Sequence, residues 1–217
     1  MGPSTVSPVQ EFLTALLAGN RTRCAQIVTE YRKVQPELIE LYEEVFKRSL
    51  YEVGALWESN RISVATEHLS TALIEALLND LYEQTLPEVY NGRKMVAACV
   101  EGESHQVGIK MVTDVFEMHG WQSFFLGADV PTNELLVFLR ETEPDLVALS
   151  LSVYFHVPKL EMMLDRIRRS FPELPIVIGG QAFRHGGREL LDRYPGTVYL
   201  PDLPAVEHYI RTNWSDA

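Results

Sequence analysis

From Lys94 onward, short apolar runs alternate with stretches that repeat at helical spacing, and this rhythm leaves few folds open. Lys94-Met95-Val96-Ala97-Ala98-Cys99-Val100 is apolar without alternation, as strands covered on both faces are. Val107, Met111, Val112 and Val115 then recur at helical spacing, and Gly108 reads as the point where this helix packs closely on the sheet. Further strands are expected at Gln122 to Phe125, Leu146 to Leu151, Ile176 to Ile178 and Val198 to Leu200. Helices are expected at Asn133 to Glu141, Lys159 to Ser170, Arg188 to Arg193 and after Pro204. Five short strands separated by helices make an α/β fold with a parallel, doubly wound sheet. Such sheets bind ligands outside the carboxyl ends of their strands. That edge carries Glu103-Ser104-His105-Gln106-Val107-Gly108, Gly127-Ala128-Asp129-Val130, Ser150-Leu151-Ser152 and Gly179-Gly180.

The first 88 residues follow a different rhythm and read as an all-α four-helix bundle. Ser7 is the expected N-cap of a first helix, with Pro8 at its first position. Val9 to Leu17 and Arg21 to Val34 are amphipathic stretches separated by Gly19-Asn20. Pro36 opens a third, whose face is Leu38, Leu41, Val45, Leu50, Val53 and Leu56, ending near Trp57. Asn60-Arg61-Ile62 breaks it, and Ser63 caps a fourth over Val64 to Tyr82, with Leu69, Ala72, Leu73, Ala76, Leu77 and Leu81 on one face. Leu86 to Gly92 has the turn residues of a linker. The expected domains are therefore 1–88 and 89–217.

Composition narrows the function. The formal charge of −11, from 30 acidic and 19 basic residues, comes without a basic patch beyond Arg166-Ile167-Arg168-Arg169, so direct nucleic-acid binding is not expected. No run approaches the ~20 apolar residues of a membrane span, and Met1 to Gln10 does not read as a signal peptide. A cytoplasmic protein is expected. Cys24 and Cys99 fall in separate elements without a C-x-x-C, as core or surface thiols.

Between Gly108 and Ser150 lie 41 residues, and between Ser152 and Gly179 lie 26. This spacing resembles the signature of cobalamin-binding domains, D-x-H-x-x-G, 41 residues, S-x-L, 26 to 28 residues, GG, over roughly residues 94 to 217. The resemblance implies a Rossmann-like, flavodoxin-like domain with the corrin on the carboxyl edge of the sheet. It implies His105 as lower axial cobalt ligand, Glu103 as acceptor of its ring N–H, Ser150 extending that relay, and Gly179-Gly180 leaving room for the cofactor's displaced tail. Gly127 and Val130 would border the same site. Two positions depart from the pattern: Glu103 stands where Asp is usual, and Ser152 where Leu is usual.

A second resemblance lies in the helical half. Trp57, then nine residues, then Glu67-His68 looks like the W-x9-E-H signature of cobalamin-dependent photoreceptors of the CarH type. The resemblance implies adenosylcobalamin as cofactor, with Trp57 as a flat apolar cover for its adenosyl group and Glu67 and His68 bonding its ribose, its base or each other. It implies a light-driven change of conformation or oligomeric state, a homo-oligomer, a protein partner as output, and no enzymatic activity. Such photoreceptors commonly begin with a winged helix-turn-helix, whereas here the bundle starts almost at the N-terminus, so operator binding through such a domain is not expected. Some have His directly after the Trp; Glu58 occupies that position. Some short relatives of this architecture carry a bilin such as biliverdin as second chromophore; here a site between the domains would take one non-covalently, because no Cys is expected on the ligand edge. The alternatives are a corrinoid protein shuttling methyl groups and a cobalamin carrier; a mutase would need a substrate barrel that this length excludes. His156 either reaches the corrin or a chromophore or is a solvated loop residue, and Tyr154 and Phe155 are pocket wall or core. His185 is placed at the corrin rim, His119 at a helix end and His208 on the surface.

Overall fold

The structure, a computed structural model, describes residues 7–184 and 186–214. It divides into two compact units, Met1–Glu83 and Gln84–Ala217.

The first unit is helical: α1 Pro8–Leu17, α2 Arg21–Val34, α3 Leu38–Leu41, α4 Arg48–Glu58 and α5 Val64–Leu81. A π-helical stretch, Tyr42–Lys47, joins α3 to α4, so these two form one continuous run and the unit is a four-helix bundle. Ser7 caps α1 by accepting from Gln10 N at 3.2 Å, and Ser63 caps α5 by accepting from Thr66 N at 3.2 Å. Pro36 stands before α3 rather than inside it, because Glu37 is the capping position. Periodicity misjudged two faces. The run α3 to α4 buries Tyr42, Val45, Phe46, Ser49 and Val53, while Leu50 and Leu56 are only half-buried. The wider π turn alters the phase of the seam and brings Phe46 against Phe12, ring centroids 5.6 Å apart. On α5 the buried stripe is Ser70, Leu73, Ile74, Leu77, Leu78 and Leu81, with Leu69 exposed.

The second unit contains β1 Lys94–Cys99, α6 Val107–Met118, β2 Gln122–Gly127, α7 Thr132–Thr142, β3 Leu146–Ser150, α8 Val157–Ser170, β4 Ile176–Gly179, β5 Thr197–Tyr199 and α9 Leu203–Asn213. Its five strands are parallel in the order β2-β1-β3-β4-β5, the flavodoxin-like arrangement. Alternate residues serve opposite faces. Val96, Ala98, Val147, Leu149, Ile176 and Ile178 belong to one core cluster with Leu135 and Leu139 of α7 and Leu160 and Leu164 of α8. Met95, Ala97 and Ala148, on the alternate positions, are buried as well, and α6 packs against β1, β2 and β3. Arg188–Arg193 is a 3₁₀ segment rather than an α-helix.

This order puts the switch point between β1 and β3, whose last paired residues are Cys99 and Ser150. The loops leaving those strands carry Glu103-His105 and Ser152-His156.

Candidate functional site

Glu103 organises the site. Its carboxylate is fully buried, an arrangement that costs several kcal/mol unless the charge finds donors. Oε1 accepts from the backbone N–H of His105 at 3.2 Å and pairs with Nδ1 of the His105 ring. Oε2 accepts from Ser152 N at 3.0 Å and Val153 N at 2.8 Å. Burial alone would push this carboxyl up, but the hydrogen bonds from the His105 ring, Val153 N and His105 N outweigh it and hold Glu103 at about 2. Facing an ionised acceptor, His105 Nδ1 carries the proton, and any metal would be taken by Nε2. The His105 side chain is 49% exposed, so a half-open imidazole stands on a fixed buried anion.

The loop around His105 is braced from neighbouring loops. Asp129, at φ 50°, accepts from Gly102 N at 2.8 Å and donates its own N–H to Glu103 O at 2.9 Å. Gln106 Oε1 accepts from Ala128 N at 3.1 Å, and Glu101 Oε2 caps α7 through Thr132 N and Oγ1 at 3.0 and 2.7 Å. Cys99 Sγ donates to His105 O at 3.6 Å. Burial, with Glu103 adding to it, pushes the Cys99 thiol up to about 12, so it stays a donor. Cys99 thus does lie at the ligand edge, contrary to the expectation of no Cys there, but it is fully buried and closed to covalent attachment. Of these bracing residues Gln106 and Asp129 stand in stretches that the sequence places on the ligand edge, whereas Glu101 does not. Glu101 to Thr132 and Gln106 to Ala128 are contacts between loops that spacing does not reveal.

Other expected site residues fall as follows. Ser152 joins through its backbone N–H. Ser150 is buried at the end of β3, and Glu103 takes its second pair of donors from the Ser152 and Val153 amides. Gly108 does not sit tightly on the sheet: it is exposed, and a Cβ there would meet nothing within 4 Å. The chain itself requires Gly180 and crowds Gly179. A Cβ on Gly180, at φ +114°, would lie 2.0 Å from Leu151 O, and one on Gly179 would lie 3.1 Å from Leu200 O. Gly127, at φ +76°, ends β2 with Gln106 Oε1 where a Cβ would be, and Val130 packs partly buried on the sheet's core. Phe125, Tyr154 and Phe155 are exposed at the carboxyl edge. His156 is not a solvated loop residue: its Nδ1 is buried 3.6 Å from Glu103 Oε2. His119 ends α6 with Gly120 at φ +82° after it, and His208 is exposed on α9. His185 lies outside the described residues.

Within the helical unit, Trp57 and Glu67-His68 flank one turn. Asn60, at φ 56°, ends α4 with Arg61 N bonded to Leu56 O at 2.8 Å. Trp57 is 45% exposed in the last turn of α4. Glu67 Oε2 and His68 Nδ1 pair at 2.5 Å, and Glu67 Oε1 accepts from Thr71 Oγ1 at 3.0 Å.

Comparison with known proteins accords with this geometry. A family model described as "B12 binding domain" matches residues 93–205. The chain belongs to the B12 binding domain family. A second B12 binding domain model matches residues 9–82. The HTH-type transcriptional repressor CarH of Myxococcus xanthus is 30% identical over 81% of this chain and 58% of its own length. Dimethylamine corrinoid protein 3 of Methanosarcina acetivorans is 25% identical over 65% of this chain and 67% of its own. This B12 binding domain protein therefore spans little more than half of the CarH repressor. The structure of the Methanosarcina barkeri monomethylamine corrinoid protein superimposes with a TM-score of 0.79 at 13% identity, covering 93% of this chain and 95% of that one, which shows a shared fold. Among the described residues no helix is long and apolar enough to cross a membrane.

Proposed function

We propose that this B12 binding protein is an adenosylcobalamin-dependent light sensor that binds its cofactor base-off with His105 as lower axial ligand. The observation that carries cobalamin ligation is the half-exposed His105 ring fixed through Nδ1 on buried Glu103, which presents Nε2. Among the described residues no three His, Cys, Asp or Glu converge as a metal cluster. One imidazole suffices for a metal whose equatorial ligands come with a macrocycle. The residues fit such a group: Gly108 leaves open space beside His105, and Phe125, Tyr154 and Phe155 offer apolar surface at the same edge. Ser150 and Ser152 would meet the tail.

When bound, adenosylcobalamin supplies a cobalt–carbon bond that visible light breaks. On the protein side, Trp57 offers an exposed indole face for the adenosyl group, and Glu67 with His68 offers polar partners beside it. The helical unit is then the element with two states, biased by whether that group is held. Its output is a change in self-association or a contact with a partner protein, and a bilin would bind as a second, non-covalent chromophore. The sensor reading is supported by W-x9-E-H and by the CarH relative. The likeness to dimethylamine corrinoid protein 3 favours a second reading, a corrinoid subunit that carries methyl groups between partner enzymes.

The test is size-exclusion chromatography and absorption of adenosylcobalamin-loaded protein in darkness and after green light. A light-dependent change in size or shape that Trp57→Ala loses is the expected result. If light alters only the cofactor and leaves the protein unchanged, the sensor reading fails and the methyl-carrier reading replaces it.

A further inference from the structure

We propose that Glu103 holds two imidazoles, and that His156 is a positioning residue for His105. The proposal rests on the reading of His105 as axial ligand. His156 closes the short turn after β3, with its N–H bonded to Val153 O at 3.0 Å, and stands at the N-cap position of α8. Its Nδ1 is buried, has no hydrogen-bond partner, and lies 3.6 Å from Glu103 Oε2. Only 20% of the side chain is exposed. That separation is beyond a hydrogen bond, though a shift of about 0.6 Å would make one.

The chemistry fixes the tautomer. A lone pair on a buried ring nitrogen 3.6 Å from a carboxylate oxygen is repelled, whereas an N–H is attracted. His156 therefore carries its proton on Nδ1, as His105 does on the other oxygen. The purpose follows from the length of Glu103. A glutamate has one more rotatable bond than the aspartate usual at this position, so its carboxylate needs more restraint to stay under one ring. Oε2 receives that restraint from Ser152 N and Val153 N, with His156 Nδ1 3.6 Å away on the same β3–α8 loop, while Oε1 serves His105 on the β1–α6 loop. The carboxylate thereby locks the two loops that flank the switch point, and His156 closes the lock.

The test uses long-range proton–nitrogen NMR correlation on the ligand-free full chain at one fixed pH, with cobalamin affinity as second readout. In the wild type both rings should carry a proton on Nδ1. His156→Phe keeps a ring but removes the nitrogen; the His105 tautomer should become mixed and cobalamin affinity should fall about tenfold. His156→Asn, whose amide reaches the Nδ1 position, should restore both. Unchanged His105 signals and affinity in His156→Phe would overturn the proposal. If His156→Phe does not fold, as judged by circular dichroism, an Nε2–H tautomer for wild-type His156, or a His156→Asn variant that leaves His105 mixed, overturns it instead. The axial-ligand reading fails separately, through a His105→Ala variant that binds cobalamin unchanged, since the tautomers are read without cofactor.

Discussion

Replacing Gly108 by alanine separates two physical pictures of the turn that carries His105, because they predict opposite signs. Gly108 is the second residue of α6, it is exposed, and its Cβ direction is empty to 4 Å. Nothing then opposes the lower conformational entropy of alanine in the unfolded chain, and Gly108→Ala should stabilise the ligand-free protein by about 0.5–1 kcal/mol. With a urea slope of roughly 2 kcal/mol per molar, the midpoint should rise by about 0.3–0.5 M. A glycine pressed against the sheet would instead be overpacked, costing ~1–3 kcal/mol and lowering the midpoint by about 0.5–1.5 M. The assay is urea unfolding followed by tryptophan emission in a Trp57→Phe background, where the remaining indoles, Trp121 and Trp214, both belong to the α/β unit. A lowered midpoint would refute the open-space picture, and with it the argument that this position is kept clear for a ligand.

Gly180→Ala should behave oppositely. A Cβ at φ +114° and 2.0 Å from Leu151 O forces backbone to move, so a loss of roughly 3 kcal/mol or more is expected in the same urea assay, and a loss below about 1 kcal/mol would contradict it. Tyr194 gives a pH signature: burial and its hydrogen bond to Asp165 at 2.8 Å raise the phenol from 10.0 to about 12. Because the folded value lies above the unfolded one, this stability is complete below pH 10.0 and lost as pH rises towards about 12. Tyr194→Phe should flatten the fall of the thermal midpoint across that window; an unchanged slope would count against it.

The α/β unit was legible because its strands are buried on both faces, so Lys94 to Cys99 and Leu146 to Ser150 read as unbroken apolar runs. Glu103 and His105 were legible for a similar reason: two residues apart in one turn, their partnership is local. What escaped was set by tertiary distance. The Ser152 and Val153 amides and the His156 ring reach Glu103 from about 50 residues away, through the β1–β3 pairing. For Gly180 the Leu151 carbonyl gives a spatial reason that sequence does not reveal. In the bundle, helical period found the segments but not the π turn at Tyr42–Lys47, which alters the phase without changing composition.

The measurement that tests the account most directly is electron paramagnetic resonance of the cobalt(II) form of the bound cofactor, using protein whose histidines carry the heavier nitrogen isotope. If His105 is the axial ligand, labelling turns the axial nitrogen splitting from a triplet into a doublet, and His105→Ala abolishes that change. A triplet that persists in labelled wild-type protein would mean that the cofactor's own base holds the cobalt, and the role assigned to His105 on Glu103 would be wrong.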